Sequence, residues 1–272
     1  MSKTLPPEEF PICEIDGALA TITFNRPSKF NALHPDCIPA LRDFLVDVES
    51  NPDIRCLLLK GNGKHFMAGG DLSLIVDFHQ LDPAQKALWG ESPPREFIYL
   101  IRIMMRMKKP IVASVQGGVA GAALGLISAC DFVIAANNSF YWAAHVLHGG
   151  TADGCISWFL PRNIGLRKAK EMAMLGDRIY AQEAKELGLI NFVVEESELQ
   201  AKTTELVQRL CKGPTVAYGL IKQVYHVSLQ NTLEEQGALE ADVYGNQALQ
   251  TNDASEGLMA FFEKREANFS GR

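Results

Sequence analysis

The segment Ile111–Ala135, IVASVQGGVAGAALGLISACDFVIA, reads as strand, glycine-rich turn, helix and strand in succession. Ile111–Val115 is apolar and β-branched and follows Pro110, so it has the composition of a buried strand. Gly121–Cys130 is a run of small and aliphatic residues with helical character, and Phe132–Ala135 is a second apolar strand. A strand that passes through a helix into another strand implies a crossover connection, and hence an α/β fold.

The same alternation extends outward. Upstream, Ala18–Asn25 alternates and is β-branched, and Arg26-Pro27-Ser28 ends it. Asp36–Ser50 carries Ile38, Leu41, Phe44, Leu45 and Val48 at helical spacing. Cys56–Lys60 is a short buried strand followed by the turn Gly61-Asn62-Gly63. Downstream, Ser139–Trp142 is a further strand. From about Gly165 the pattern becomes almost wholly helical, with Leu199–Cys211, Thr215–Ser228 and Thr232–Thr251 as the long segments and Phe261-Phe262 in a last short one. The expected organisation is an α/β core over residues 1–198 and a helical region over residues 199–272. Asp77–Glu96 is polar, holds three prolines and lacks firm periodicity, which predicts a mobile connection.

A chain of 272 residues that is 47% hydrophobic has material for one large core with an appended helical piece. No apolar run is long enough to span a bilayer, because glycines, Ser128 and Asp131 interrupt the longest, near Val119–Ala136. The first ten residues do not read as a signal or transit peptide, and Ser270-Gly271-Arg272 is not a peroxisomal address. A net charge of −6 without a basic stripe argues against nucleic-acid binding. The cysteines (Cys13, Cys37, Cys56, Cys130, Cys155, Cys211) form no CxxC pair and read as small hydrophobes in a reduced compartment, which predicts a cytoplasmic protein. His34, His65, His79 and His226 show no ligand spacing and HExxH is absent, so no metal is expected.

Two segments are dense in small residues: His65-Phe66-Met67-Ala68-Gly69-Gly70-Asp71-Leu72 and Gly117-Gly118-Val119-Ala120-Gly121-Ala122-Ala123-Leu124-Gly125. Each follows an expected strand and opens toward a helix. Small side chains admit a ligand to the backbone, and free N–H groups at a helix start point outward. One donor from each segment would hold a developing oxyanion. Tight packing of helix on strand would use the same residues, so the segments alone leave both readings open. Neither contains GKS/T or a GxGxxG with an acid on the next strand, so neither is a nucleotide phosphate loop of those kinds.

In order and spacing the chain resembles the enoyl-CoA hydratase/isomerase (crotonase) superfamily over nearly its whole length. The residues that carry the resemblance are Asn25-Arg26-Pro27 with Asn31-Ala32-Leu33, Phe66–Leu72, Lys109-Pro110-Ile111-Val112-Ala113 through Gly117, and Cys130-Asp131. Farther on come Leu160-Pro161-Arg162, Gly176-Asp177-Arg178, Ala181–Val194 and Phe261-Phe262-Glu263-Lys264-Arg265. The resemblance implies a crotonase-type spiral core of ββα turns and a C-terminal helical trimerisation region, hence a homotrimer or hexamer. It also implies an acyl-CoA substrate, carried as a coenzyme A thioester, with no permanently bound cofactor. It places the oxyanion donors at the backbone N–H groups of Gly70 and Ala122, the latter in place of the usual glycine. Ala68 falls where a backbone carbonyl meets adenine, Lys29, Asn31 and Ala32 lie on the loop that lines the nucleotide, and Asp71 and Leu72 continue the first segment. Phe261 and Lys264 match a packing aromatic and a phosphate-contacting lysine, often supplied by a neighbouring subunit. By itself Lys264 reads as a solvated charge.

The acid–base positions depart from the hydratase pattern, which uses two glutamates around one water. By the resemblance the first falls at Gly125 and the second at His145 or Ala144. Asp153 remains, in Asp153-Gly154-Cys155-Ile156-Ser157-Trp158-Phe159-Leu160-Pro161-Arg162. That pattern, with Ala217–Gln223 and Asn231-Thr232-Leu233, is similar to the isomerase branch, in particular its ring-1,2-epoxyphenylacetyl-CoA isomerases, and implies a lone aspartate shuttling a proton. Asp153 also reads as a helix N-cap. His145, near His148 and Trp142, reads either as a pocket-lining residue or, with Asp153, as the base of a hydrolase or nucleophilic enzyme. A hydratase-like protein and a non-catalytic acyl-CoA binder are the further alternatives.

Overall fold

The structure is a computed structural model and describes residues 4–91 and 93–272. Its strands are β1 (Ile12–Asp16), β2 (Leu19–Phe24), β3 (Cys56–Gly61), β4 (Ile111–Val115), β5 (Gly118–Ala120), β6 (Phe132–Ala136), β7 (Phe140–Trp142), β8 (Arg178–Tyr180) and β9 (Phe192–Val194). Its α-helices are α1 (Ile38–Ser50), α2 (Ser73–His79), α3 (Pro83–Glu91), α4 (Pro93–Arg106), α5 (Ala123–Ser128), α6 (Ile156–Ile164), α7 (Leu166–Leu175), α8 (Ala181–Glu186), α9 (Leu199–Lys212), α10 (Thr215–Val227), α11 (Leu233–Asp242) and α12 (Asn252–Glu263).

The main sheet has the order β1-β2-β3-β4-β6-β9, antiparallel between β1 and β2 and parallel thereafter. A parallel sheet is covered on both faces, so its central strands are apolar throughout rather than alternating. Leu57 and Leu59 face one side with Ala113 and Val115, in a core shared with α1, α4, α5 and α6. Cys56 and Leu58 face the other side with Val112 and Ile134, and Leu199, Val207 and Leu210 of α9 cover them. Three turns of chain repeat one course. Each leaves a strand of the main sheet, runs along a smaller sheet ordered β5-β7-β8, and ends in helical structure. The turn after β3 joins that smaller sheet through a single bridge, Met67 to Val119, and a second bridge ties its Gly70 to Leu33. This is the crotonase-type ββα spiral that the sequence implied.

Several of the marker residues hold this frame. The Lys109 ammonium donates to the carbonyls of Val48 and Asn51, at the C-terminal end of α1, where a cation is favoured. Asp131 accepts from the Ile111 N–H at 2.8 Å and from Lys222 Nζ at 2.7 Å. Cys130-Asp131 and Ala217–Gln223 are therefore two ends of one interaction, which ties α10 to the start of β4.

Three expectations are corrected. Asp77–Glu96 is not an irregular connection: apart from Ser92, outside the described residues, it runs through the end of α2, α3 and the start of α4. Its last two prolines occupy the start of α4, where a helix tolerates them, and Phe97, Leu100, Ile101 and Met104 form the buried face that follows. The region after Gly165 contains strands, β8 and β9, each a triplet too short to show periodicity. Thr232–Thr251 is not one helix. A capping box between Thr232 and Glu235 starts α11, which ends at Asp242 and gives way to a π turn over Val243–Gln247 and a 3-10 turn over Ala248–Gln250. Among the described residues no helix is long and apolar enough to cross a membrane.

Candidate active site

A cleft of about 890 Å³, its open mouth included, lies between the 66–72 segment, α2, α4 and a 3-10 turn over Ala144–His148. Leu33, Pro35, Ile38, Leu72, Leu74, Pro94 and Phe97 make one wall apolar, and Asp71, His145, His148 and Asp153 supply ionisable groups. Ala68, Gly70, Gly121 and Ala122 complete it, so both small-residue segments reach the same space.

Gly69 brings the two segments together. Its φ is +88°, and a Cβ there would stand 2.8 Å from the Ala120 carbonyl oxygen and 3.1 Å from the Ala122 nitrogen. Glycine is needed at Gly69 on both counts. Gly70 differs: its backbone is ordinary and a Cβ would meet nothing within 4 Å. The fold does not require a glycine there, and the space left open belongs to the cleft. Leu33 flanks Gly70, its N–H donating to Gly69 O at 2.7 Å and its carbonyl accepting from Asp71 N at 3.2 Å. Ala122 holds the N-cap position of α5, where N–H groups lack helical acceptors. Among the described residues neither the Gly70 nor the Ala122 N–H donates to another backbone group.

Asp153 sits where the chain doubles back on α5. Gly154 and Cys155 both adopt left-handed backbone, φ +61° and +62°, and such conformations persist only where the surroundings enforce them. The enforcing contact is with α5. A Cβ on Gly154 would lie 2.7 Å from the Ala122 Cβ. A Cβ on Gly125 would lie 2.8 Å from the Gly154 carbonyl carbon and overlap its oxygen. Backbone thus fills the position assigned to the first glutamate. The Asp153 carboxylate accepts from the adjacent Gly154 N–H at 2.6 Å, while the N-cap of α6 is Cys155, which makes no side-chain cap. The capping role readable in the sequence is therefore not the role the structure gives Asp153.

Burial pushes the His145 imidazole below its ordinary pKa, with Asp153 pulling it up and His148 pushing it down. Burial thus favours the neutral form of this imidazole. Its Nε2 lies 3.7 Å from where a Gly121 Cβ would be, and the His148 ring is 6.2 Å away, centre to centre. Asp71 is occupied elsewhere. Burial opposes its charge, but Ser73 Oγ and N–H and the Arg26 guanidinium prevail and hold its pKa below the usual value. Among the described residues lining the cleft, Asp153 is the carboxylate left for chemistry.

The residues matched to coenzyme A binding divide. Lys29 is exposed and is not among the residues lining the cleft, and Leu72 is 56% exposed. Asn31 and Ala32 are buried. Asn31 Nδ2 donates to the carbonyls of Asn62, His65 and Phe66, and Oδ1 accepts from Arg26 N, so the side chain organises the loop. Ala68 lies in the cleft wall. Phe261 and Lys264, on and just past α12, are not among the residues lining this cleft within the chain. Trp142 is not either: its Nε1 donates to Gly176 O at 2.6 Å and Arg178 stacks on its face. Two contributors went unassigned in the sequence. Arg26 clamps the Ala32 carbonyl at 2.7 Å to Asp71 at 3.1 Å and so fixes the 66–72 segment. Phe97 closes the apolar wall, and the 97, 100, 101, 104 spacing was the available signal. Among the described residues no group of His, Cys, Asp and Glu is arranged to hold a metal ion.

Comparison with known proteins gives one family. The family described as "Enoyl-CoA hydratase/isomerase" matches residues 14–272. The chain is 35% identical over 265 residues to a 1,2-epoxyphenylacetyl-CoA isomerase of Escherichia coli (strain K12), covering 97% of this chain and 99% of that one. It is 31% identical over 259 residues to a crotonyl-CoA hydratase of Syntrophomonas wolfei, covering 95% and 96%. Among solved structures, an enoyl-CoA hydratase from Polaromonas sp. JS666 superposes with a TM-score of 0.88 at 30% identity, covering 95% of this chain and 99% of that one.

Proposed function

This chain belongs to the enoyl-CoA hydratase/isomerase family of acyl-CoA enzymes, and from that premise we propose that it is an isomerase acting through a thioester enolate. The N–H groups of Gly70 and Ala122 receive the thioester oxygen. That pairing lowers the energy of the enolate formed when the α-proton leaves. Asp153 takes the proton and returns it at another carbon, so that a double bond moves or a ring rearranges. The observation that carries this reading is the interlock of Gly125 with Gly154. A hydratase needs a second acid to hold its water, and backbone fills that acid's place. Isomerisation needs no water and only one carboxylate.

The test is a set of 3-enoyl, 2-enoyl and aryl-epoxide CoA thioesters incubated with the protein in deuterated water. Migration of unsaturation or ring rearrangement, with deuterium entering carbon, is the expected result. Hydration of the 2-enoyl thioester as the main reaction overturns it. One observation favours a second reading: His145 and Asp153 line the same cleft, and burial lowers the His145 pKa while the Asp153 charge raises it, as for a base of hydrolysis. Release of free coenzyme A in the same assay, abolished by His145→Ala, would select that reading.

A further inference from the structure

Behind the apolar wall of the cleft lies a second, much smaller gap against the main core, with a volume of about 20 Å³. Its lining is wholly apolar and includes Ile22, Leu41, Met104 and Leu126. Leu33 and Phe97 line both spaces. The partition between cleft and core gap is therefore formed by these two side chains. They are not equivalent. Leu33 is held on both sides by backbone hydrogen bonds to Gly69 and Asp71, next to the Gly70 donor. Phe97 stands in the first turns of α4, 7% exposed.

We infer that Phe97 is the residue that sets acyl-chain length, by stopping the chain at the boundary of the core gap. The inference rests on the acyl-CoA reading above. An acyl group whose thioester oxygen meets Gly70 starts beside Leu33, and its hydrocarbon follows the apolar wall toward Phe97. The chain admits short aliphatic and compact ring acyl groups and rejects extended ones, because the next apolar space is closed off. Shortening residue 97 adds the volume of the lost ring to that space, and an apolar cavity without polar lining stays dry and takes hydrocarbon.

The experiment measures affinity for saturated, unreactive acyl-CoA thioesters from butyryl to dodecanoyl, by calorimetry. Each buried methylene strengthens binding about fourfold. In the parent the gain with chain length stops early. In Phe97→Ala it continues for two or three more methylenes, so the decanoyl-to-butyryl affinity ratio rises about 15- to 60-fold. Phe97→Leu, which leaves more of the core filled, gives a smaller rise in the same direction and serves if Phe97→Ala does not fold. Unchanged ratios in a folded variant overturn the inference. Failure of every thioester to bind the parent would instead overturn the acyl-CoA reading on which it rests.

Discussion

A methyl group placed at Gly70 meets no atom within 4 Å, whereas one at Gly125 runs into the Gly154 carbonyl. Two glycines in neighbouring segments thus differ, one facing open space in the cleft and one packed against backbone. Gly70→Ala is expected to leave the thermal midpoint within about 1–2 °C of the parent, since a surface change away from packed groups costs little. Its methyl enters the cleft where a thioester oxygen would be held, and turnover should fall about tenfold or more, short of the 10²–10³ lost with a whole oxyanion donor. Gly125→Ala should lose stability, and turnover with it, because the Gly154 it displaces adjoins Asp153. Alanine in a helix interior normally adds about 0.5–1 kcal/mol relative to glycine, but here overpacking against backbone costs about 1–3 kcal/mol or more. Urea unfolding of the two variants side by side distinguishes these outcomes. Asp153→Asn keeps the size of the side chain and should bind thioester nearly as the parent does while losing about 10²–10⁴ in rate. Equal turnover by Asp153→Asn and the parent would remove the proton-shuttle mechanism.

At the scale of elements, the pairing of Asp131 with Lys222 joins β4, β6 and α10. Burial raises the Asp131 pKa even though Lys222 and the Ile111 N–H both act to lower it. A carboxyl whose pKa is higher folded than unfolded costs stability once the pH passes the unfolded value near 3.9, and the cost grows until the folded pKa is passed. Lys222→Met removes the ammonium and drives that pKa higher, widening the window. The variant should therefore match the parent near pH 4 and fall behind as the pH rises, reaching about 3–5 kcal/mol, the cost of an unpaired buried charge. Urea midpoints at pH 4, 5.5 and 7 test this, and a pH-independent difference would count against it. The same scale shows what the sequence could convey. β3 and β4 were legible because burial on both faces demands unbroken apolar runs. The two small-residue segments were legible because approach to backbone demands glycine and alanine. β8 and β9 were not, since three residues carry no period and their place is set by partners distant in sequence. α3 and the start of α4 were obscured by Pro93 and Pro94, which mark a helix start as readily as a loop. The block on Gly125 was out of reach, because it arises from Gly154, on another element.

Over the whole molecule, several large apolar side chains are left exposed, among them some on the carboxyl-terminal helices. Leu233, Tyr225, Phe261 and Phe262 are 84%, 75%, 77% and 76% exposed, and α11 buries no residue. The carboxyl-terminal tail does not shield them. It is pinned elsewhere, with Ser270 and Gly271 donating to the buried Asp253 carboxylate and Arg55 donating to the Phe269 carbonyl. Exposed apolar patches mark association surfaces, and with the trimers or hexamers that the resemblance implies we expect chains of 29.9 kDa to assemble in threes or sixes. Light scattering at micromolar concentration tests the mass, and a sharp monomer would refute it. Phe262→Asp places a charge in the contact and should yield monomers with unchanged helical content. If Phe261 and Lys264 act on the thioester nucleotide of a neighbouring chain, the same variant should also weaken binding of coenzyme A thioesters. Lys264→Ala separates the two effects, because it should keep the assembled mass and weaken binding alone. A Lys264→Ala protein that binds as the parent does would leave α12 with an assembling role and no part in the site.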